Sequence, residues 1–367
     1  MIPFLLAAAL ASADTLTTAR PDSARRDTVA PTRVAFGAFV DGYYAWDAGR
    51  PRAFDRLYTT QPARHNEFNV NLAFVEAVLT GERVRGRLAV QAGTSVQSNY
   101  FAEPQVGAVS GGVLSRNIQE ATVGVRLHPR LWLDGGIYFS YVGLEGWVSR
   151  DNPTYTRSLI ADYTPYYLSG AKLTWQAART VSAQLHVMNG WQNISETNAD
   201  KAVGTRIDWT PRPSILLGWS TFVGNEQADS LPSRLRLLSQ FLGRWTPAGW
   251  ELSGVVDLGR QARPGGGADT WTGSTFIARR AVAPGVKVVG RVEHLFDRRQ
   301  VLVVTGAPGG FRTTGASLGL DVAPDARVLW RTEVRGFRSG DAIWPRDGAP
   351  SGRRTGLLVV SSLAMTL

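Results

Sequence analysis

The chain has 367 residues, a formal charge of +10, 44% hydrophobic residues and no cysteine. It contains no apolar run of about 18 residues, so a membrane-spanning helix is excluded, as is any disulfide scaffold. The basic balance does not indicate nucleic-acid binding, because the charges form no stripe with interleaved aromatics.

At the N-terminus, Ile2 to Leu10 is a short apolar run followed by Ala11-Ser12-Ala13, an A-x-A cleavage pattern. Residues 1–13 therefore read as a signal peptide, although no Lys or Arg precedes the run. Residues 14–33, with Pro21, Pro31, Arg20, Arg25 and Arg26, read as a disordered periplasmic lead-in to a barrel over 34–367.

Sixteen strand candidates follow: 34–46, 67–79, 83–96, 118–128, 131–146, 164–176, 179–191, 202–210, 214–224, 234–246, 249–260, 270–281, 285–296, 313–322, 326–338 and 355–367. The third is the plainest. Val84, Gly86, Leu88, Val90, Ala92 and Val96 fall on one face, and Arg83, Arg85, Arg87, Gln91, Gly93 and Ser95 on the other. Such alternation recurs along nearly the whole chain with no helical core to cover it. Lipid requires every backbone polar group to be paired within the protein, which leaves a closed barrel as the route across a membrane.

Connections alternate in length. Short ones fall at 81–82, 129–130, 177–178, 210–213, 247–248, 283–284 and 323–325, and long ones near 47–66, 97–117, 147–163, 192–201, 225–233, 261–269, 297–312 and 339–354. That sorting matches short periplasmic turns and long extracellular loops. Tryptophans near both kinds of connection predict two aromatic girdles: Trp132, Trp175, Trp209, Trp245 and Trp250 at the short turns, and Trp46, Trp147, Trp191 and Trp271 at the long loops. Trp219 and Trp330 read as mid-strand.

Alternation assigns twelve bases to the lumen: Arg83, Arg85, Arg87, Arg126, Lys172, Arg206, Arg236, Arg244, Lys287, Arg291, Arg331 and Arg335. It assigns nine acids there: Asp41, Glu120, Asp134, Asp208, Glu251, Asp257, Glu293, Asp321 and Glu333. Most serve as a hydrated wall with cross-strand pairs, and the basic excess favours anions wherever the pore narrows. The third long connection carries Arg150, Asp151, Arg157 and Asp162 and is the expected constriction loop. The Arg83–Arg87 ladder, close to a short turn, is expected to line a vestibule away from it. Arg298, Arg299, Arg312, Arg338, Arg346, Arg353 and Arg354 belong to the last two long loops, where guanidinium groups suit lipid phosphates.

Catalytic chemistry finds little support. His65, His128, His186 and His294 show no metal-ligand spacing, and Gly265-Gly266-Gly267 sits in a loop rather than a phosphate-binding turn. No enzyme activity, metal or cofactor is expected.

Several segments resemble the β-barrel porin family described as OmpL-like. They are Phe36 to Trp46, His65 to Ala73, Ile118-Gln119-Glu120-Ala121, the loop from Asp151-Asn152 to Arg157-Ser158, and Asn189 to Asn193. The resemblance implies an outer-membrane barrel with a porin role and supplies no substrate or binding residue. The expectation is an all-β transmembrane antiparallel β-barrel of about sixteen strands in a Gram-negative outer membrane. Its partners would be outer-membrane lipids and lipopolysaccharide, small hydrophilic solutes diffusing passively, and, as in many porins, two further copies in a homotrimer. The competing expectation is a structural or adhesive barrel with a loop-plugged lumen.

Overall fold

The computed structural model describes residues 32–109 and 112–367. The expected signal peptide and most of the expected lead-in lie outside the described residues.

Fifteen strands run in chain order: β1 Arg33–Asp47, β2 Phe68–Thr80, β3 Val84–Ala92, β4 Ile118–His128, β5 Leu131–Phe139, β6 Tyr167–Ala178, β7 Val181–Met188, β8 Ala202–Arg212, β9 Ile215–Asn225, β10 Leu235–Trp245, β11 Trp250–Ala262, β12 Ala268–Ala283, β13 Val286–Asp297, β14 Phe311–Asp325 and β15 Val328–Ser339. A small hairpin follows, β16 Trp344–Arg346 with β17 Ala349–Arg353, and then β18 Thr355–Thr366. All the strands except the hairpin pair with their sequence neighbours, antiparallel, and β18 pairs with both β15 and β1 to close a ring of sixteen. The seam runs from Phe39 opposite Thr366 to Asp47 opposite Leu358.

All sixteen expected strands are present. Two end early. The period-2 pattern continues through Thr94 and Val96, but Gly93 adopts φ +139° and a Cβ there would lie 2.3 Å from the Asn71 carbonyl oxygen. The chain turns into α1 (Thr94–Asn99) instead. β5 stops at Phe139 rather than continuing to residue 146. The β16–β17 hairpin carries no alternation long enough to be seen in sequence.

Seven turns of two to four residues join strands at one rim. At the other rim run L1 (48–67), L2 (93–117), L3 (140–166), L4 (189–201), L5 (226–234), L6 (263–267), L7 (298–310) and L8 (340–354). L6 is shorter than expected because β11 and β12 pair through to Ala262 and Ala268.

The outer face is apolar, with Val75, Leu88, Val123, Phe276, Val292, Leu318 and Leu363 all exposed. The tryptophans form one girdle rather than two. Trp175, Trp209, Trp245, Trp250 and Trp330 stand exposed towards the short-turn rim, whereas Trp147 and Trp271 are buried inside the barrel and Trp191 packs against Trp271. Of the four expected at the long loops, Trp46 alone stays on the outer face, half-buried. Trp132 also points inward, under the Arg85 and Arg126 guanidinium groups. An indole at a strand end reads alike in sequence whichever face it takes.

A core fills the upper interior. Tyr138, Tyr141, Leu159, Ile160, Phe222, Trp271, Leu295, Phe311, Phe337 and Trp344 form one buried cluster of wall and loop side chains. Leu318, near the middle of β14, faces outward and is 74% exposed. Leu318→Arg should cost about 2–4 kcal/mol, the depth-dependent cost of Arg on a lipid face; urea titration of the protein refolded into lipid vesicles measures it.

Candidate functional site

L3 folds into the barrel and runs its full height. Its first turn touches the far wall. The Tyr141 hydroxyl donates to the Thr221 carbonyl (2.7 Å), Arg206 donates to the carbonyls of Tyr141 (2.8 Å) and Gly143 (3.1 Å), and the Gly143 N–H donates to Gln240 (2.5 Å). The loop then crosses to the seam, where Ser149 Oγ donates to Asp41 of β1 at 2.7 Å. At its lowest point the Arg150 guanidinium donates to the Arg327 carbonyl (2.7 Å), the Ala326 carbonyl and Thr366 Oγ1 (2.9 Å), all at the short-turn rim.

On the return leg the loop has almost no backbone partners of its own, and the wall supplies them. Arg331 donates to four L3 carbonyls, Ser149 (2.6 Å), Pro153 (2.8 Å), Asn152 (2.9 Å) and Thr154 (3.3 Å), while gripping Asp321 with two bonds of 2.9 Å. Arg291 donates to the Thr156 carbonyl (2.6 Å) and to the Thr154 and Thr156 hydroxyls. Glu333 accepts from the Thr156 N–H (2.8 Å) and Glu293 from the Leu159 N–H (2.6 Å). Arg335 holds Glu293 with two bonds of 2.9 Å, and Arg291 lies 3.0 Å from Glu333. Charge-assisted bonds of this kind contribute about 1.5–3 kcal/mol each. The network thus supplies partners to the loop's backbone from 149 to 159 and pairs its own charges, while Arg291 Nε and Arg335 Nη1 make no hydrogen bond.

This placement corrects the lumen assignment. Arg206, Arg291, Arg331, Arg335, Glu293 and Glu333 point inward as alternation requires, yet all six are buried: five bond the backbone of L3, and Arg335 backs Glu293. Arg83 is not on a strand face: it precedes β3 in the turn and is exposed. The constriction-loop residues divide as well. Arg157 is 2% exposed, stacked over the Tyr166 ring at 3.3 Å, and Asp162 is buried, accepting from Thr60 (2.7 Å) and Tyr166 (2.8 Å). Arg150 is tied to the rim. Asp151 alone of the four is exposed.

The inner wall is wet elsewhere. On β2–β7 the inward residues Glu76, Arg85, Arg87, Thr122, Gly136, Gly170, Lys172, Thr174 and Gln184 keep access to solvent from the short-turn rim upward. Arg85 pairs with Asp134 (2.6 Å), and Arg87 joins Glu76 (2.6 Å) and Glu120. Lys172 lies 4.9 Å over the Tyr138 ring. Gly136 keeps this wall clear: its φ is +128°, and a Cβ there would sit 1.9 Å from the Ala121 carbonyl oxygen. From β8 round to β1 the mid-height inward side chains are buried, including Ser220, Gln240, Asp257, Thr275, Leu358 and Asp41. L3 thus occupies one side of the lumen and leaves the β3–β7 side to water. The ladder is also nearer L3 than expected, because L3 descends to the ladder's own rim.

Several inward charges are missing from the expected lumen set, among them Asp47, Asp269 and Asp297 at the long-loop ends of β1, β12 and β13; two lie lower on the wall. Glu76 shares its face with Leu72 and Phe74, which dilutes the alternation, and Arg279 is indistinguishable in sequence from Arg280, which stacks outward on Trp250 at 5.0 Å. Among the described residues no three His, Asp or Glu side chains gather into a metal-ligating group.

The family model described as "Putative beta-barrel porin-2, OmpL-like" matches residues 33–366. The chain belongs to this family. It is an outer-membrane β-barrel. Similar solved structures include the anion-selective porin from Comamonas acidovorans (TM-score 0.60, 9% identity, 92% of this chain and 100% of that one). The outer-membrane channel DcaP of Acinetobacter baumannii has TM-score 0.61, 9% identity and coverage of 92% and 98%. Salmonella typhi OmpF has TM-score 0.58, 10% identity and coverage of 91% and 97%. At these identities the likeness is one of fold. No curated protein matches the chain.

Removing Arg331 strips buried Asp321 of two bonds and leaves the Asn152, Pro153 and Thr154 carbonyls without this donor, Ser149 keeping the Asn152 N–H at 3.1 Å. Arg331→Ala should cost about 3–5 kcal/mol in unfolding and open residues 147–158 to a protease that leaves the wild-type loop intact; fragment mapping by mass spectrometry reads the second effect. The loop's own acids give a pH dependence. Burial pushes the Glu145 carboxyl above the usual carboxylate range, against the pull of Arg291 and bonds from Ser158. Burial does the same to Asp162, against Arg335, Arg157, Thr60 and Tyr166. A group whose folded value is raised binds its proton more tightly in the packed state, so packing gains as pH falls through that raised range and weakens above it. Hydrogen exchange of 140–166, corrected for intrinsic rates, should show higher protection at pH 5 than at pH 8.

Proposed function

We propose that the protein is a porin through which small hydrophilic solutes diffuse passively along the β3–β7 side of the lumen, in the outer membrane of a Gram-negative cell. The observation that carries this reading is the solvated strip of Arg85, Arg87, Lys172, Glu76 and Gly136 beside an otherwise loop-packed interior. The barrel replaces hydrocarbon with water, and L3 sets the width. No covalent chemistry, cofactor or metal enters the mechanism. Lys172 is without a carboxylate within 4 Å among the described residues, and Arg85 keeps 34% of its side chain exposed. Together with Arg126 over Trp132, they tilt the strip towards anions, since basic side chains select where the passage is narrow. The long loops are then external and the short turns periplasmic. Homotrimerisation belongs to the same reading, supported by the trimer form recorded for Vibrio cholerae OmpT.

A second reading, a structural barrel with a plugged lumen, is favoured by the burial of mid-height side chains from β8 to β1.

Planar-bilayer recording separates the two. The wild type should give small, anion-preferring steps, and a chain lacking residues 147–158 should give steps at least twofold larger. Replacing Arg85, Arg87 and Lys172 by Gln should bring the anion-to-cation permeability ratio down to near unity. Absence of steps in the wild type at any voltage would establish the plugged barrel, and a loop deletion without effect would remove L3 as the limiting element.

A further inference from the structure

We propose that the outer face of β9–β15 and β18 carries a binding site for a phosphate-bearing lipid of the lipopolysaccharide class, its acyl chain in a glycine-floored groove and its phosphate on Arg312 and Arg338. The proposal rests on the outer-membrane placement of the barrel and not on conduction.

A groove of about 1210 Å³ crosses this face diagonally, from Leu217 on β9 to Arg338 at the long-loop end of β15. Its floor is cut by small outward residues, Gly243, Gly254, Ala316 and Gly336, and its sides are Phe241, Phe276 and Val292, each about half exposed. The strand register orders it by level. One row, Gly254–Phe276–Val292–Ala316–Gly336, runs across five paired strands and is wholly apolar. The row directly above it, towards the long loops, is Ser274–His294–Thr314–Arg338, and His294 Nδ1 lies 2.9 Å from Thr314 Oγ1. Above that row Arg312 opens β14 opposite Phe296.

Hydrocarbon below and cationic donors above, within two strand residues, is the profile of an acyl chain ending in a phosphate. The anion must come from outside the wall. Neither Arg312 nor Arg338 has a carboxylate within 4 Å among the described residues, and no outward position of β9–β15 or β18 carries Asp or Glu. A second copy packed here through its own strands would bring no counter-charge, whereas guanidinium matches phosphate in bidentate geometry. At the boundary of the apolar band, where the dielectric is below that of water, such a pair is stronger than in solution.

Native mass spectrometry of the full chain in non-ionic detergent tests the site, with diphosphoryl lipid A and its dephosphorylated form as probes. The wild type should retain the diphosphoryl lipid at least tenfold more tightly. Arg312→Gln with Arg338→Gln should erase that preference. A Cβ at Gly336 meets nothing within 4 Å, so Gly336→Phe fills the groove without straining the wall, and should weaken retention of both lipids at least tenfold. Equal retention of the two lipids by the wild type, or unchanged retention in either variant, would overturn the proposal. So would a Gly336→Phe chain that passes from oligomer to monomer with lipid retention unaltered, which would assign the groove to a second copy. Single-channel conductance of the double Gln variant should equal that of the wild type, so failure here and failure of the porin reading are told apart.

Discussion

Everything in this molecule follows from the demand that no backbone polar group face hydrocarbon unpaired. Sixteen strands satisfy one another only if the first meets the last, and β1 and β18 do so over nine residue pairs. Once the ring is closed its two faces are fixed. The outer one must be apolar, and the inner one is free to carry charge. Period-2 alternation is the written form of that division.

A ring of this size has more interior than its own side chains can fill. L3 takes up the space, and it brings a second demand of the same kind, because an extended segment inside a barrel has no ladder to join. Here the answer is side chains. Arg331, Arg291, Glu333 and Glu293 act as substitute backbone for residues 149–159, while Asp321 and Arg335 balance the charge. The same residue types that would line a water-filled wall therefore serve as loop anchors. Burial separates the two uses: Arg85 remains a third exposed, whereas the side chains of Arg291 and Arg335 are sealed.

The barrel was legible in the sequence because each strand announces itself locally, over ten or so residues. The interior was not, because its determinants are long-range. Nothing near Arg331 indicates that it will meet Ser149, and nothing near Trp147 or Trp271 says that these rings turn inward to pack against Tyr100 and Trp191 rather than outward to the headgroups. Where L3 covers the wall, the inner face also becomes apolar, as at Leu358 and Val360. That blurs the alternation and hides a charge such as Glu76. The groove on the outer face was half legible. Arg312 and Arg338 stood out as basic residues near long loops, but the glycines beneath them acquire meaning only when the register aligns them across strands.

The contacts of Arg150 join residue 150 to Thr366, 216 positions away, and Ser149 meets Asp41, 108 positions away. These partners sit on the two strands of the seam. Contacts that span so much chain form late, since the loop entropy must be lost before they can stabilise anything. The joint that completes the cylinder and the lock that seats the inner loop thus draw on the same two strands. In the finished protein they are one mechanical unit: L3 is a pin through the seam, and a force that drew it out would bear first on the hinge where the two ends of the barrel meet.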